Sequence, residues 1–216
     1  GSFSRGVSFQ HNPLTGDRRI CGTAASLAGV ERAALEGAGE DLDTAVRRVL
    51  LLYGVAFSAG GIPLLYLGDE LGALNDYSYE DDPATAADSR WVHRPVWDDK
   101  LAAKRRDLSS VTGRVFAGIS ALARTRAEHA AFGTQAMAVV EAGHRSVLAF
   151  RKQADGELLV VAGNFSDKPV TLDGNSSSAI LAGRQGVDLL SGRLAVPGEP
   201  LELEPCELLW LLSTND

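Results

Sequence analysis

Cysteines, long apolar runs and dense basic clusters are all scarce in this 216-residue sequence. Its two cysteines, Cys21 and Cys206, lie far apart and show neither metal-binding nor redox spacing. Reduced cysteines of this kind fit a cytoplasmic protein, which is the predicted location. No run approaches the roughly 18 apolar residues that a membrane-spanning helix needs, so no membrane partner is predicted.

Excess positive charge is also absent, since the formal net charge is −7. The densest basic cluster, Lys104-Arg105-Arg106, is interpreted as a solvated helix end. This balance of charge argues against binding to nucleic acid or to an anionic membrane. The acidic run Glu80-Asp81-Asp82 lacks the spacing of a calcium-binding loop, and neither a metal nor an organic cofactor is predicted.

An initiator methionine and a signal peptide are missing as well. The start, Gly1-Ser-Phe-Ser-Arg, fits either a cloning remnant or the continuation of a longer polypeptide. Residues 1–22 predict an extended hairpin with its turn at residues 12–17. A hairpin of this size buries little by itself, so we expect it to lie on another body of protein.

The most organised stretch is the apolar run at residues 62–67, Ile-Pro-Leu-Leu-Tyr-Leu, which is followed by Gly68-Asp69-Glu70. Such a run is typical of a strand buried on both faces of a parallel sheet. Helical periodicity precedes it at residues 43–57, and a long polar segment rich in Asp, Tyr and Trp follows at 71–95. This order predicts one unit of an α/β enzyme, with function on the loop beyond the strand.

Further helices are predicted on either side of that unit. One covers residues 23–35 and ends at the glycines of residues 37–39, after which Asp41 or Asp43 opens the next helix. Another covers residues 111–129, where apolar residues recur at helical spacing.

Past Phe132 the sequence changes to short β-patterned runs separated by turns. The predicted strands lie at residues 137–141, 146–151, 157–164, 169–172, 179–182, 187–190, 201–203 and 207–212. Regular spacing of this kind is typical of an antiparallel β-sandwich. We therefore predict an α/β plus all-β fold, with one domain at residues 1–132 and a second at 133–216.

Several motifs carry a family resemblance. They are Ser2-Phe-Ser-Arg-Gly-Val7, Phe9-Gln-His-Asn-Pro13, Thr15-Gly-Asp17, Gly22-Thr-Ala-Ala25, Gly68-Asp-Glu70, Leu74-Asn-Asp76, Asp88-Ser-Arg-Trp-Val-His-Arg-Pro95 and Gly163-Asn-Phe-Ser166. Together they resemble the amylosucrases and related sucrose hydrolases of the α-amylase superfamily. The motif that starts at Asp88 is the most specific of them.

The resemblance implies that residues 1–132 are the C-terminal part of a (β/α)8 barrel, with residues 62–67 as its eighth strand and a loop-subdomain hairpin at residues 1–22. The antiparallel β-sandwich would follow. The family cleaves sucrose with an Asp nucleophile, a Glu acid/base and a stabilising Asp, all on earlier strands. No catalytic residue is therefore assigned here, since all three are expected upstream of Gly1. The missing N-terminal part of the barrel is an expected partner, without which the chain is predicted to be inactive.

Two arginines are the predicted substrate-binding residues. Arg90 lies on the loop beyond the last barrel strand, where a guanidinium can pair with a carboxylate and donate to sugar hydroxyls. Arg19 matches an arginine that lines the fructose or acceptor side in the family, and strand alternation directs Arg18 to the opposite face. A surface role is the alternative for both predicted residues.

Other candidate residues have structural interpretations beside functional ones. Asp69 and Glu70 are adjacent and point apart, so we expect them to hold the loop rather than to act as an acid/base pair. His93 either contacts substrate or braces the loop between its neighbours. Four aromatic residues form either a sugar-stacking wall or ordinary packing: Tyr77, Tyr79, Trp91 and Trp97.

The predicted function is that of a retaining α-glucosyl enzyme acting on sucrose, which makes α-glucan and releases fructose. The alternative within the family is hydrolysis of sucrose to glucose and fructose. An alternative of another class is a non-catalytic carbohydrate-binding or interaction module on the β domain. That module would need exposed aromatic side chains, whereas Phe150, Phe165 and Trp210 lie in apolar patterns that indicate core.

Overall fold

The computed structural model describes residues 2–36 and 42–214. Its contacts divide the chain into two compact units. The first comprises Gly1–Val49 and Leu65–Ala117, and the second comprises Leu50–Leu64 and Gly118–Asp216. The domain boundary between residues 132 and 133 stays a prediction.

The first unit begins with the predicted hairpin. Strand β1 (Val7–Phe9) pairs antiparallel with β2 (Arg19–Cys21), and Phe9 lies directly opposite Arg19. A 2.7 Å hydrogen bond from the Asn12 amide to the far side of the turn closes the hairpin. Because opposed residues of an antiparallel pair share one face, this register decides which side chains neighbour Phe9.

Two short helices replace the single helix predicted for residues 23–35. Helix α1 (Ala24–Leu27) begins after its capping residue Thr23, and α2 (Val30–Glu36) follows. Gly29 between them has φ = +100°, a left-handed conformation that ends α1. The periodicity was right, but a single glycine divides the segment.

Helix α3 (Leu42–Ser58) confirms the helix predicted for residues 43–57. Its buried side chains include three that were predicted to face inward: Val46, Val49 and Phe57. The predicted break at residues 37–39 and the alternative start at Asp41 lie outside the described residues.

The predicted buried strand at residues 62–67 is wrong. Among the residues that the structure describes, no strand pairs with this segment, and Ile62, Leu64 and Leu67 are 97%, 82% and 69% exposed. An apolar run becomes a buried strand only where neighbouring strands satisfy its backbone and other side chains cover it. Every strand pairing in the described residues is antiparallel, so the parallel pairing expected of a barrel does not occur there.

Short 3-10 helices interrupt the segment at residues 71–95 that was predicted as a long loop, at Tyr77–Asp81 and Ser89–His93. Another lies at its start, Asp69–Leu71, and beyond it follow helix α4 (Asp99–Ala103) and a 3-10 helix at Lys104–Arg106. Asp76, Asp88 and Asp98 each accept a hydrogen bond from the amide two residues onward, at 2.9, 3.0 and 2.8 Å. Several of its carboxylates therefore order the backbone.

Helix α5 (Val111–Glu128) confirms the helix predicted at residues 111–129. It buries apolar side chains at helical spacing: Val115, Ile119 and Leu122.

The second unit contains two antiparallel sheets. Its strands are β3 (Ala138–Val140), β4 (Val147–Ala154), β5 (Glu157–Asn164), β6 (Val170–Leu172), β7 (Gly186–Asp188), β8 (Leu194–Ala195), β9 (Leu201–Leu203) and β10 (Leu208–Thr214). Six form a sheet in the order β3-β4-β5-β10-β7-β8, and β6 pairs with β9. This arrangement is consistent with the predicted β-sandwich.

The strand predicted at residues 179–182 is wrong, because helix α6 (Gly174–Leu181) occupies that position. The carboxylate of Asp173 accepts a hydrogen bond from the Ser176 amide at 2.7 Å and caps the helix. The apolar run therefore packs one face of a helix into the core, with Ile180 and Leu181 fully buried. Strand β8 was not predicted.

None of the helices in the described residues combines the length and the apolar character that crossing a lipid bilayer would require.

Candidate functional site

The two predicted substrate-binding arginines both neighbour Phe9. Arg19 is the direct cross-strand partner of Phe9, so their side chains share one face of the hairpin. The Arg90 guanidinium carbon lies 5.1 Å from the centre of the Phe9 ring, within the range of a cation–π contact. Both arginine residues are exposed, and an exposed guanidinium keeps its donors available to a ligand.

Asp88 holds the Arg90 side chain in place. Arg90 Nε donates to Asp88 Oδ1 at 2.8 Å, and Nη2 donates to Oδ2 at 2.7 Å. This two-pronged pairing is the geometry that fixes a guanidinium most firmly. It lowers the pKa of the Asp88 carboxyl to about 2, chiefly through the side-chain hydrogen bond and then through the hydrogen bond from the Arg90 amide. Among the described residues, Nη1 of Arg90 donates no hydrogen bond.

A further hydrogen bond joins the turn that carries Arg90 to the hairpin that carries Arg19. Ser89 Oγ donates to the Ser8 carbonyl of β1 at 2.9 Å. The segments are far apart in sequence, so this contact and the Phe9–Arg90 contact define the spatial relation of the two arginines.

Glu70 anchors its loop, as expected. Its Oε2 accepts a hydrogen bond from the Gly68 amide at 2.8 Å. Gly68 has φ = +99°, a left-handed conformation in which glycine is favoured. The carboxylate thus stabilises a sharp turn and is engaged locally.

His93 has the surroundings of a bracing residue. Its ring meets the Tyr66 ring edge-to-face, with 6.1 Å between the ring centres. Burial lowers its pKa, and the nearby positive charge of Arg94 lowers it further. The imidazole is therefore held neutral near pH 7.

The four candidate aromatic residues have separate partners and do not form a continuous wall. Trp91 lies against Arg94, with 5.0 Å from the guanidinium carbon to the ring centre, and Trp97 Nε1 donates to Asp99 at 3.0 Å. The Tyr77 hydroxyl donates to Glu31 at 2.8 Å, while Tyr79 is buried. The packing interpretation holds for Tyr79, whereas Trp97 is 47% exposed.

Two residues of this site were not singled out from the sequence, namely Phe9 and Asp88. A signal existed for each. Phe9 lies in a β-patterned run across from Arg19, and Asp88 comes two residues before Arg90, the spacing of a capping aspartate. Which residue opposes Phe9 depends on the hairpin register, which the sequence left open.

Within the parts of the chain that the structure describes, no group of three or more His, Cys, Asp or Glu side chains has an arrangement that would hold a metal ion.

Comparisons with known proteins extend this description. Residues 137–210 match the family model described as "Maltogenic Amylase, C-terminal domain". Among solved structures, AmyP in complex with maltose is similar with a TM-score of 0.66 and 24% identity, over 88% of this chain and 38% of AmyP. A variant of the trehalulose synthase MutB, in complex with Tris, is similar with a TM-score of 0.55 and 20% identity, over 78% of this chain and 38% of MutB. Ttha1563 from Thermus thermophilus is similar with a TM-score of 0.55 and 24% identity, over 91% of this chain and 34% of that protein.

The chain thus spans between 34% and 38% of the length of these proteins. At such identities the likeness shows the fold. Residues 137–210 are accordingly similar to the C-terminal domain of maltogenic amylase, and the chain shares the fold of part of AmyP and part of MutB.

Proposed function

We propose that this chain is the C-terminal portion of a retaining α-glucosyl enzyme that acts on sucrose. The observation that carries the proposal is the convergence of Arg19 and Arg90 on Phe9. Arg90 lies in the motif that most specifically resembles the amylosucrases, and Arg19 matches an arginine of that family. Neighbours crystallised with maltose support binding of oligosaccharides more generally.

Arg90 is proposed to donate hydrogen bonds to hydroxyl groups of the glucosyl unit. Asp88 neutralises and orients its guanidinium, which leaves Nη1 as a directed donor. Positioning of this kind supplies orientation to a reaction whose bonds are made and broken by other residues. Arg19 is proposed to line the fructose or acceptor side of the same site.

The chemistry itself would belong to carboxylates that precede this chain. A nucleophilic Asp attacks the anomeric carbon of sucrose and forms a glucosyl ester, while a Glu protonates the departing fructosyl oxygen. The same Glu then takes a proton from the hydroxyl of an α-glucan, whose oxygen attacks the anomeric carbon and releases the Asp. Water in place of the glucan gives hydrolysis.

The exposed segment at residues 62–67 supports the proposal of a missing barrel portion. Three of its aliphatic side chains are more than two-thirds exposed, and several large apolar side chains exposed in one short segment are typical of a contact with more protein. The protein that covers this segment is proposed to be the preceding part of a (β/α)8 barrel. The low cysteine content, two in 216 residues, supports a cytoplasmic location.

The test uses the intact native protein, whose mass and N-terminal sequence show whether such a portion precedes Gly1. With sucrose, insoluble α-glucan and fructose are expected, whereas glucose and fructose alone would indicate the hydrolase. The isolated 216-residue chain should release neither sugar. The matched variants are Arg19→Ala and Arg18→Ala, which are neighbours with exposed side chains on the hairpin.

We expect Arg19→Ala to raise KM for sucrose or acceptor about tenfold, in line with loss of one charged hydrogen bond, and Arg18→Ala to leave it unchanged. Equal effects of the two variants would refute the assigned role of Arg19. Absence of any sucrose turnover by the intact protein would refute the proposed substrate. Phe150 and Trp210 are buried as expected, but the expected core position of Phe165 is wrong, because this residue is 47% exposed. Of the three aromatic residues considered for the alternative binding module, Phe165 alone thus offers a surface to a ligand.

A further inference from the structure

A cleft of about 310 Å³ lies in the first unit, apart from Arg19 and Arg90. Its apolar lining includes Leu67, Leu71 and Leu101. Trp97, Asp76 and Asp98 add an indole ring and two carboxylates. The volume is at the lower end of the range of small-ligand sites.

The charge of the lining restricts the ligand. Two carboxylates contribute to it, and none of its lining residues in the described chain is Lys, Arg or His. An anionic ligand would therefore meet only repulsion, whereas a neutral polyhydroxyl ligand would find acceptors.

The Trp97 ring is fixed and available. Its Nε1 donates to Asp99 Oδ1 at 3.0 Å, which sets the orientation of the indole, and the residue is 47% exposed. A fixed aromatic face next to water costs little conformational entropy when a ligand packs on it.

Each carboxylate is also fixed through one oxygen and leaves the other available. Asp76 Oδ1 accepts from the amide and the hydroxyl of Ser78 at 2.9 and 2.6 Å, and Asp98 Oδ1 accepts from the Lys100 amide at 2.8 Å. In the described residues, Oδ2 of neither aspartate accepts a hydrogen bond. The cleft therefore combines an aromatic face with two oriented acceptors.

We propose that this cleft binds a pyranose ring of a neutral sugar. The C–H face of the ring packs on Trp97, and hydroxyl groups donate to Oδ2 of Asp76 and of Asp98. The site uses neither of the arginines assigned to sucrose, and of the segment at residues 62–67 it uses Leu67 alone. Its failure is therefore distinguishable from failure of the proposed function, which Arg19→Ala tests. The cleft would thus bind a glucan chain at a second position, apart from the site of Arg19 and Arg90.

The test is a titration of the protein with maltose, followed by ligand-observed saturation-transfer NMR and calorimetry. Trp97→Ala should weaken binding at this site about tenfold, since an aromatic stacking contact contributes about that factor. Asp76→Asn should weaken it as well, while retaining the acceptor that orders the turn. The matched control is Asp107→Asn, because Asp107 Oδ1 accepts from the amide and hydroxyl of Ser109 at 3.0 and 2.6 Å but lies outside the cleft.

Maltose binding that survives Asp107→Asn but is weakened by Asp76→Asn supports the proposal. Three results overturn it: no saturable binding of maltose, equal losses in Asp76→Asn and Asp107→Asn, or binding of tetramethylammonium in preference to maltose. The last would indicate a site for cations. Because Asp76→Asn retains the backbone hydrogen bonds, a variant that folds remains available even if Trp97→Ala does not.

Discussion

The Nζ atom of Lys152 donates a hydrogen bond of 2.7 Å to the carbonyl of Phe132, although the lysine is only 1% exposed. A second bond of 3.0 Å reaches the carbonyl of Ser58, the last residue of α3. A buried ammonium is tolerated because backbone carbonyls replace its water, and because it meets the negative end of a helix. Lysine is thus a structural residue in the core of the second unit.

Lys152→Met is expected to lower the free energy of unfolding by about 2–4 kcal/mol, because the aliphatic stem is kept and the carbonyls lose a charged donor. Urea denaturation followed by circular dichroism measures this change. Lys168→Met, at an exposed lysine of the same domain, is the control and should change little. A loss below about 0.5 kcal/mol, the usual scatter of surface substitutions, would contradict the structural role.

The same lysine predicts a dependence of stability on pH. Burial, and secondly the charge of Arg126, lowers the pKa of Lys152 from its ordinary value of 10.5. Between the lowered pKa and 10.5 the unfolded chain binds more protons, so this group's contribution to stability rises with pH. The difference in unfolding free energy between wild type and Lys152→Met should therefore grow as the pH approaches 10.5. A difference that stays constant or shrinks would show that the pKa is not lowered.

Asp88 should titrate far below an ordinary aspartate. Its pKa of about 2, against an ordinary 3.8, means that any stabilisation from its pairing with Arg90 is complete above 3.8 and is lost as the pH falls through 2. Carboxyl-carbon NMR of the protein measures the value directly. Arg90→Lys should move it back towards 3.8, since lysine cannot form the paired hydrogen bonds. A wild-type value at or above 3.8 would disprove the pairing.

The hydrogen bonds of Asn164 lead us to expect a large loss of stability when this residue is replaced by the isosteric aspartate. Its side-chain nitrogen donates to the carbonyls of Lys168 and Glu204 at 2.8 and 3.0 Å, and its oxygen accepts from the Ser166 amide at 3.0 Å. Asn164→Asp turns the donor into an acceptor that faces carbonyl oxygens, and should cost about 3 kcal/mol or more. Thermal unfolding measures this cost, and Asn175→Asp, at an exposed position in α6, is the control. Equal decreases in the unfolding temperature of the two variants would contradict this prediction.

How far the sequence predicts the fold depends on where each element finds its partners. Residues 157–164 were predicted as a strand and form β5 with those bounds, because β4 and β10 cover both edges within the chain. Residues 179–182 were predicted as a strand but lie in and just after α6. A short apolar run has no clear period that separates strand from helix, and here the capping residue Asp173 starts a helix that includes it. Residues 62–67 have the composition of a buried strand, yet composition cannot supply neighbouring strands.

The candidate site shows the same division. Arg90 was selected from a motif and Arg19 by its match to a family arginine, but their nearness arises from the Phe9 contact and the hydrogen bond between Ser89 and Ser8, which join distant segments. Periodicity and spacing describe only local structure. The contribution of Asp88 was readable as a local cap, although its second role as the partner of Arg90 required the three-dimensional arrangement.

The length of the turn at residues 12–17 carries a consequence for variation in this hairpin. Side chains alternate between faces along a strand, so inserting or deleting one residue in the turn would exchange the positions of Arg18 and Arg19, whereas a change of two would preserve them. Turn length therefore sets which guanidinium neighbours Phe9 without altering any residue of the site. Natural or engineered variants of this hairpin should tolerate even changes in turn length better than odd ones.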